Sequence, residues 1–214
     1  ITMKILFTLC LLSVFLLFTV CCLSKSLPEQ DCICSIPLCQ TVYTTTTAYN
    51  GSGSIPSEIN PTKSCLSSGE KNDAWYIFTA QTTGSVGFLI TPFNGQDDYD
   101  WAIFNITNKP CSQIFTDAAM EVSCNYDANI GCGGVTGPNG TLSPCGQTEP
   151  LIPVIAGETY VVNVSNYSSS QNGYTIDFNS STAIIYDNQP PQKLLMTASC
   201  SEKQLSLHFN EPID

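Results

Sequence analysis

Three carboxylates within four positions, Asp97, Asp98 and Asp100, follow Asn94-Gly95-Gln96 and run straight into the aromatic stretch Tyr99 to Asn105. A hard cation such as calcium takes about six to eight oxygen ligands, and a loop that feeds carboxylates into a strand supplies the start of such a shell. Asp127, or backbone carbonyls of the glycine-rich loop after it, would complete the set. The expected site is therefore Asp97, Asp98, Asp100 and Asp127, with calcium as the cofactor. The competing reading is a solvated turn that caps the entrance to a strand.

Cysteine is the second chemistry. Of twelve cysteines, nine lie beyond the first 26 residues: Cys32, Cys34, Cys39, Cys65, Cys111, Cys124, Cys132, Cys145 and Cys200. In an exported chain such residues read first as disulfides, whose connectivity sequence alone does not assign. Local pairings are preferred: Cys111 with Cys124, Cys132 with Cys145, and Cys39 with Cys32 or Cys65. Zinc is the competing use, but His208 is the only histidine and no paired Cys-x-x-Cys occurs.

Other chemistries find less support. Trp75, Tyr76, Tyr99 and Trp101 offer either a sugar-stacking platform or a core, and their place within alternating strands favours the core. His208 falls in the truncated second domain, so the sandwich contains no histidine to act as the base of a Ser-His or Cys-His pair. Asp98 with Asp127 would be a carboxylate pair for glycoside hydrolysis, but no motif selects them. No glycine-rich phosphate loop opens a helix. Asn105, Asn139, Asn163, Asn166 and Asn179 each begin an Asn-x-Ser/Thr acceptor pattern.

The elements that must position these residues are strands. Strict alternation sets Tyr99, Trp101 and Ile103 on one face and Asp98, Asp100, Ala102 and Phe104 on the other. Further strands are expected over Thr41 to Tyr49, Ala74 to Ala80, Ser85 to Thr91, Met120 to Asn125, Leu151 to Ile155, Thr159 to Asn166, Tyr174 to Asn179 and Ala183 to Tyr186. The second and third of these, and again Thr159 to Asn166 with Tyr174 to Asn179, read as hairpins. Asn50 to Gly69 is a long loop, and Thr107 to Gly146 is a stapled irregular segment. Short strands with frequent turn signals give an all-β fold, a jelly-roll or immunoglobulin-like β-sandwich with disulfide-stapled loops.

Residues 1–26 read as a signal peptide, apolar from Ile5 to Leu23 and followed by Ser24-Lys25-Ser26; an uncleaved anchor is the alternative. The sandwich spans 27–188. Residues 189–214 hold a proline linker and the truncated start of an immunoglobulin-like domain, with Leu194 to Ala198 and Gln204 to Phe209 as its first hairpin. Cys200 is assigned to that domain, with further β-domains expected beyond Asp214. The net charge of −11, with no arginine, repels phosphate backbones, so nucleic acid is excluded as a partner.

Several motifs occur in a fixed order: Asn72-Asp-Ala-Trp-Tyr-Ile-Phe-Thr, Asp97-Asp-Tyr-Asp-Trp-Ala-Ile-Phe-Asn-Ile-Thr, Cys124-Asn-Tyr, Ala156-Gly-Glu-Thr-Tyr-Val-Val-Asn-Val-Ser-Asn-Tyr-Ser, Asn172-Gly-Tyr-Thr-Ile-Asp-Phe and Asp187-Asn-Gln-Pro-Pro. The series resembles the N-terminal domain of large secreted Bacteroidetes surface proteins that end in gliding-motility-associated, type B sorting domains for type IX secretion. It also looks like a divergent relative of the bacterial pre-peptidase C-terminal domain, an accessory β-sandwich. The resemblance implies a non-catalytic module, secreted or on the outer cell surface, that serves adhesion or gliding motility and binds surface polysaccharide or protein. The alternative is a substrate-holding accessory domain of a secreted protease or glycosidase.

Overall fold

Strand β6 (Tyr99–Asn105) is buried along nearly its whole length, on both faces, and the rest of the fold is what covers it. The computed structural model describes residues 28–55, 57–128, 133–141 and 147–186, and the backbone of two strands at 193–199 and 204–209. In chain order the other strands are β1 (Ile36–Pro37), β2 (Val42–Thr47), β3 (Ala74–Thr79), β4 (Gly84–Val86), β5 (Leu89–Pro92), β7 (Glu121–Asn125), β8 (Ile152–Val154), β9 (Thr159–Asn166), β10 (Asn172–Asp177), β11 (Lys193–Ser199) and β12 (Gln204–Phe209). The chain is all-β, with 3-10 turns as the helical geometry among its described residues. The expected leader, the 189–192 linker, Cys132, Cys145 and Cys200 lie outside the described residues.

Five strands form one sheet in the order β1-β3-β9-β6-β7, and three form a second in the order β2-β10-β5. Their facing sides share one core, in which Tyr76, Tyr99, Trp101, Ile103, Val162 and Val164 meet Ile90, Tyr174 and Ile176. The aromatic rings set its geometry. Phe88 stands edge-on to Trp101 at 5.1 Å, and Tyr99 lies 4.9 Å from Tyr174. The buried hydroxyls satisfy each other, with Tyr76 and Tyr174 2.8 Å apart. The Trp101 indole donates to Thr136 Oγ1 at 3.0 Å. Trp75, Trp101, Tyr76 and Tyr99 are all 2% exposed or less, so the sugar-stacking platform is ruled out at those four residues.

The second face of the five-stranded sheet carries a separate core of Ile59, Leu66, Trp75, Ala102, Phe104, Ile114, Met120 and Val161. Irregular segments cover it in place of a second sheet, held by two disulfides, Cys32–Cys111 and Cys65–Cys124. This corrects the expected local pair Cys111–Cys124. Cys124 lies on β7 opposite Ala102, whereas Cys111 lies beyond the end of β6, and each is bonded to a different segment of the loops covering this face. Cys39 joins neither Cys32 nor Cys65, since both are already bonded, and Cys34 and Cys39 are free and exposed.

Neither expected hairpin of the main domain forms. β9 belongs to the large sheet and β10 to the small one, and β3 pairs with β9 and β1. The single strand expected over Ser85 to Thr91 breaks at Gly87, leaving β4 on β8 and β5 on β10. At that corner the Ser181 hydroxyl takes the place of a neighbouring strand, accepting from Gly87 N–H at 3.1 Å and donating to Gly87 C=O at 2.9 Å. Ala183 to Tyr186 is not a strand, although Ala183 and Ile185 are buried. The expected C-terminal hairpin does form, as β11 against β12.

Gly173 fixes how closely β10 approaches β2. A Cβ at this position would lie 1.7 Å from the carbonyl oxygen of Thr45, in backbone that cannot swing aside. Gly173→Ala is therefore expected to separate the two strands and to cost about 2–4 kcal/mol, read as a lower urea midpoint with an unchanged slope.

Candidate functional site

The loop-covered face of the large sheet changes character along its strands. Register places Ile77, Val161 and Phe104 in one row, Trp75, Asn163 and Ala102 in the next, and Ser165 beside Asp100 in a third. Asp73, one step before β3, extends that third row. One end is therefore hydrocarbon and the other is carboxylate, amide and hydroxyl. The polar end is tied together by Asn163 Nδ2 donating to Asp73 Oδ2 at 2.7 Å and Ser165 Oγ donating to Asn163 Oδ1 at 2.8 Å.

Asp98 and Asp100 open from this polar end into a pocket of about 200 Å³, lined also by Leu66, Ser67, Ser68, Gly69, Tyr126, Ala128 and Tyr167. One wall is the turn Leu66 to Gly69, closed by Gly69 N–H on Leu66 C=O at 2.8 Å. Gly69 has φ +67°, the left-handed region that glycine enters without a Cβ penalty. The opposite wall follows from strand ends. Tyr126 comes directly after β7 and is 62% exposed, and Tyr167 comes directly after β9 and is 46% exposed. Lys71 braces Tyr167, with Nζ 4.4 Å from the ring centroid and donating to the Tyr167 carbonyl at 2.9 Å. The Asp98 carbonyl accepts from Tyr167 N–H at 2.9 Å, which ties the Tyr167 main chain to the pocket floor.

The floor is electrostatically uncomfortable. Asp98 is 6% exposed and Asp100 9%, and Oδ1 of each is buried without a hydrogen-bond partner. Burial pushes Asp100 up to about 7, with the Asp98 charge adding to the effect and Lys71 opposing it. Burial likewise raises Asp98, helped by Asp127 and opposed by Lys71.

Of the four expected cation ligands, two meet here. Asp97 goes elsewhere, because alternation turns it to the opposite face, where its Oδ2 accepts from Asn172 Nδ2 at 3.0 Å. Asp127 comes close enough to Asp98 to raise its pKa, but it lines an adjoining hollow of about 540 Å³ with Asn125 and Glu149. The turn Leu66 to Gly69 and the two exposed tyrosines were not expected. The available signal was an aromatic residue set one position past the end of each strand.

A second group of acids, Glu58, Glu70 and Asp73, was also missed. They are 6%, 8% and 0% exposed. Glu58 Oε2 accepts from Cys32 N–H at 2.9 Å, and Glu70 Oε1 accepts from Glu58 N–H at 2.8 Å. Burial pushes Glu58 and Glu70 up to about 7 and Asp73 well above the usual range. Cys65, Glu121 and Cys124 also lie together, with ligand atoms within 4.8 Å, but both sulfurs are bound in the disulfide and offer no thiolate.

Fold and site define a class: an all-β, disulfide-stapled β-sandwich suited to an oxidising, extracytoplasmic compartment. Among the described residues no helix is long and apolar enough to cross a membrane. The chain matches no protein-family model, no curated protein and no solved structure.

Proposed function

We propose that the chain is a non-catalytic module of a secreted or cell-surface protein and that it binds neutral polysaccharide at the Tyr126/Tyr167 pocket. The observation that carries this reading is the pairing of two exposed rings with two buried carboxylates that line the same pocket and each keep one oxygen without a hydrogen-bond partner. Rings pack on the apolar faces of sugars, and carboxylate oxygens accept from sugar hydroxyls. Asp98 and Asp100 lie two residues apart on one side of one strand, whereas glycosidase carboxyls must flank a bond from opposite sides. Holding is thus better supported than cleavage. The sequence resemblance to adhesion and gliding-motility proteins agrees, with the sandwich, of jelly-roll or immunoglobulin-like type, serving as a rigid support. The net charge of −11 favours neutral over anionic polymers.

Native affinity electrophoresis through gels containing hydroxyethylcellulose, galactomannan or xyloglucan tests the proposal. Retardation by at least one polymer is expected. Tyr126→Ala with Tyr167→Ala should weaken it about tenfold without changing the melting temperature, as loss of two stacking contacts of roughly 0.7 kcal/mol each implies. Equal mobility in all three gels and in a blank gel would sink it.

A further inference from the structure

We propose that this pocket holds a divalent cation of the calcium class between Asp98 and Asp100, and that sugar hydroxyls complete its coordination. The proposal deepens the polysaccharide reading and rests on it for the last ligands. Two carboxylates, each more than nine-tenths buried, line one small pocket, and each keeps an oxygen with no partner. A buried polar atom left unpaired is costly, and a buried charge more so, unless an opposite charge or a donor meets it. Positions i and i+2 of a strand place the two side chains about 6.6 Å apart at their roots on one face, so a single ion can be reached by both.

The protein's own cation does not fill this role. Lys71 is the lysine beside the pocket, yet its ammonium is held by the Tyr167 carbonyl and ring. Among the described residues the single salt bridge is Lys109 with Asp117, on another part of the surface. Asp127 adds a third negative group near Asp98. Ser67 and Ser68, residues rich in oxygen donors, line the wall made by the Leu66 to Gly69 turn. The donors are all hard oxygens, which suits calcium and not zinc, and a wall made from a loop turn tolerates the irregular shell that magnesium refuses.

The test uses the full chain with its disulfides formed, stripped with chelator and then titrated. Calcium at 10 mM should raise the melting temperature by roughly 3–10 °C, given the millimolar to submillimolar affinities common to extracellular calcium modules. Terbium should show luminescence sensitised by Tyr126 and Tyr167, displaced by calcium. Asp98→Asn with Asp100→Asn should abolish both signals while leaving the melting temperature in chelator no lower than wild type, since it removes two buried repelling charges. Absence of both signals in the wild type, or their survival in that variant, overturns the cation. Polymer retardation that depends on the tyrosines but persists unchanged in chelator overturns the cation and leaves the polysaccharide reading standing. Calcium and terbium signals that require Asp98 and Asp100, with no polymer retarded, support the cation site and remove the sugar.

Discussion

Replacing Cys65 and Cys124 together by serine should lower the melting temperature by about 10 °C. The bridge closes a loop with a sequence separation of 59 residues, and Cys32–Cys111 closes one of 79. Chain-entropy arguments give each roughly 4 kcal/mol, and for a domain of this size each kcal/mol moves the midpoint by about 2–4 °C. The two loops interleave, since Cys65 lies inside the first and Cys111 inside the second, so the effects of removing both should not add. The loss has a structural target as well. Without the bridges, the loops are left to hold over Trp75 and Phe104 through the packing of Ile59, Leu66, Ile114 and Met120. Calorimetry of the double variant checks the magnitude, and non-reduced peptide mapping checks the pairing. Cys34→Ser with Cys39→Ser should leave the melting temperature unchanged, because both thiols are exposed and free.

The second large effect is a loss of stability as pH rises from about 4.5 to about 7.5. Glu58 and Glu70 titrate near 7 in the folded chain and Asp73 well above its usual range, all through burial. In the unfolded chain the same groups release their protons near pH 4. Over the intervening window the folded state binds more protons than the unfolded state, so the unfolding free energy falls with rising pH. The stabilisation is full below the unfolded values and lost as pH passes through the folded ones. Several kcal/mol are at stake, since a tenfold difference in a carboxyl's proton affinity between folded and unfolded chain is worth about 1.4 kcal/mol. Urea midpoints measured at pH 4.5, 6 and 7.5 should fall in that order. Glu70→Gln, which keeps an oxygen for Glu58 N–H, should flatten the slope and raise stability at pH 7.5. A midpoint that rises across this range would contradict the burial of these carboxyls.

Much of the frame was legible because alternation is a local property. Tyr99, Trp101 and Ile103 face one core and Ala102 and Phe104 the other, as the period of two requires. The same rule separates Asp97 from Asp98 and Asp100, but adjacency in sequence grouped all three as ligands. Pairing of strands was less legible, because β9 and β10 follow one another through a short turn and yet enter different sheets. That choice depends on which faces are apolar across the whole molecule. Disulfide connectivity failed for the same reason: Cys111 and Cys124 are near in sequence, but each is bonded to a different loop over the same face of the large sheet. Glu58, Glu70 and Asp73 went unnoticed because they sit in aperiodic segments, where no pattern distinguishes a buried carboxylate from a solvated one. Their signal was indirect, in a chain with 18 acids and only 7 bases to pair them.

Asn163 and Asn166, which each begin an acceptor pattern, are 0% exposed on the central strand β9. Asn163 is bonded to Asp73 and Ser165, and Asn166 donates to Ser170 and Tyr99. An oligosaccharide attached at either amide would have to occupy the interior of the sheet. In a eukaryotic secretory pathway the transferase meets the chain before it folds, so modification there would compete with folding itself. For producing the folded chain, a host compartment that oxidises cysteines without attaching glycans to asparagine, such as a bacterial periplasm, avoids that competition.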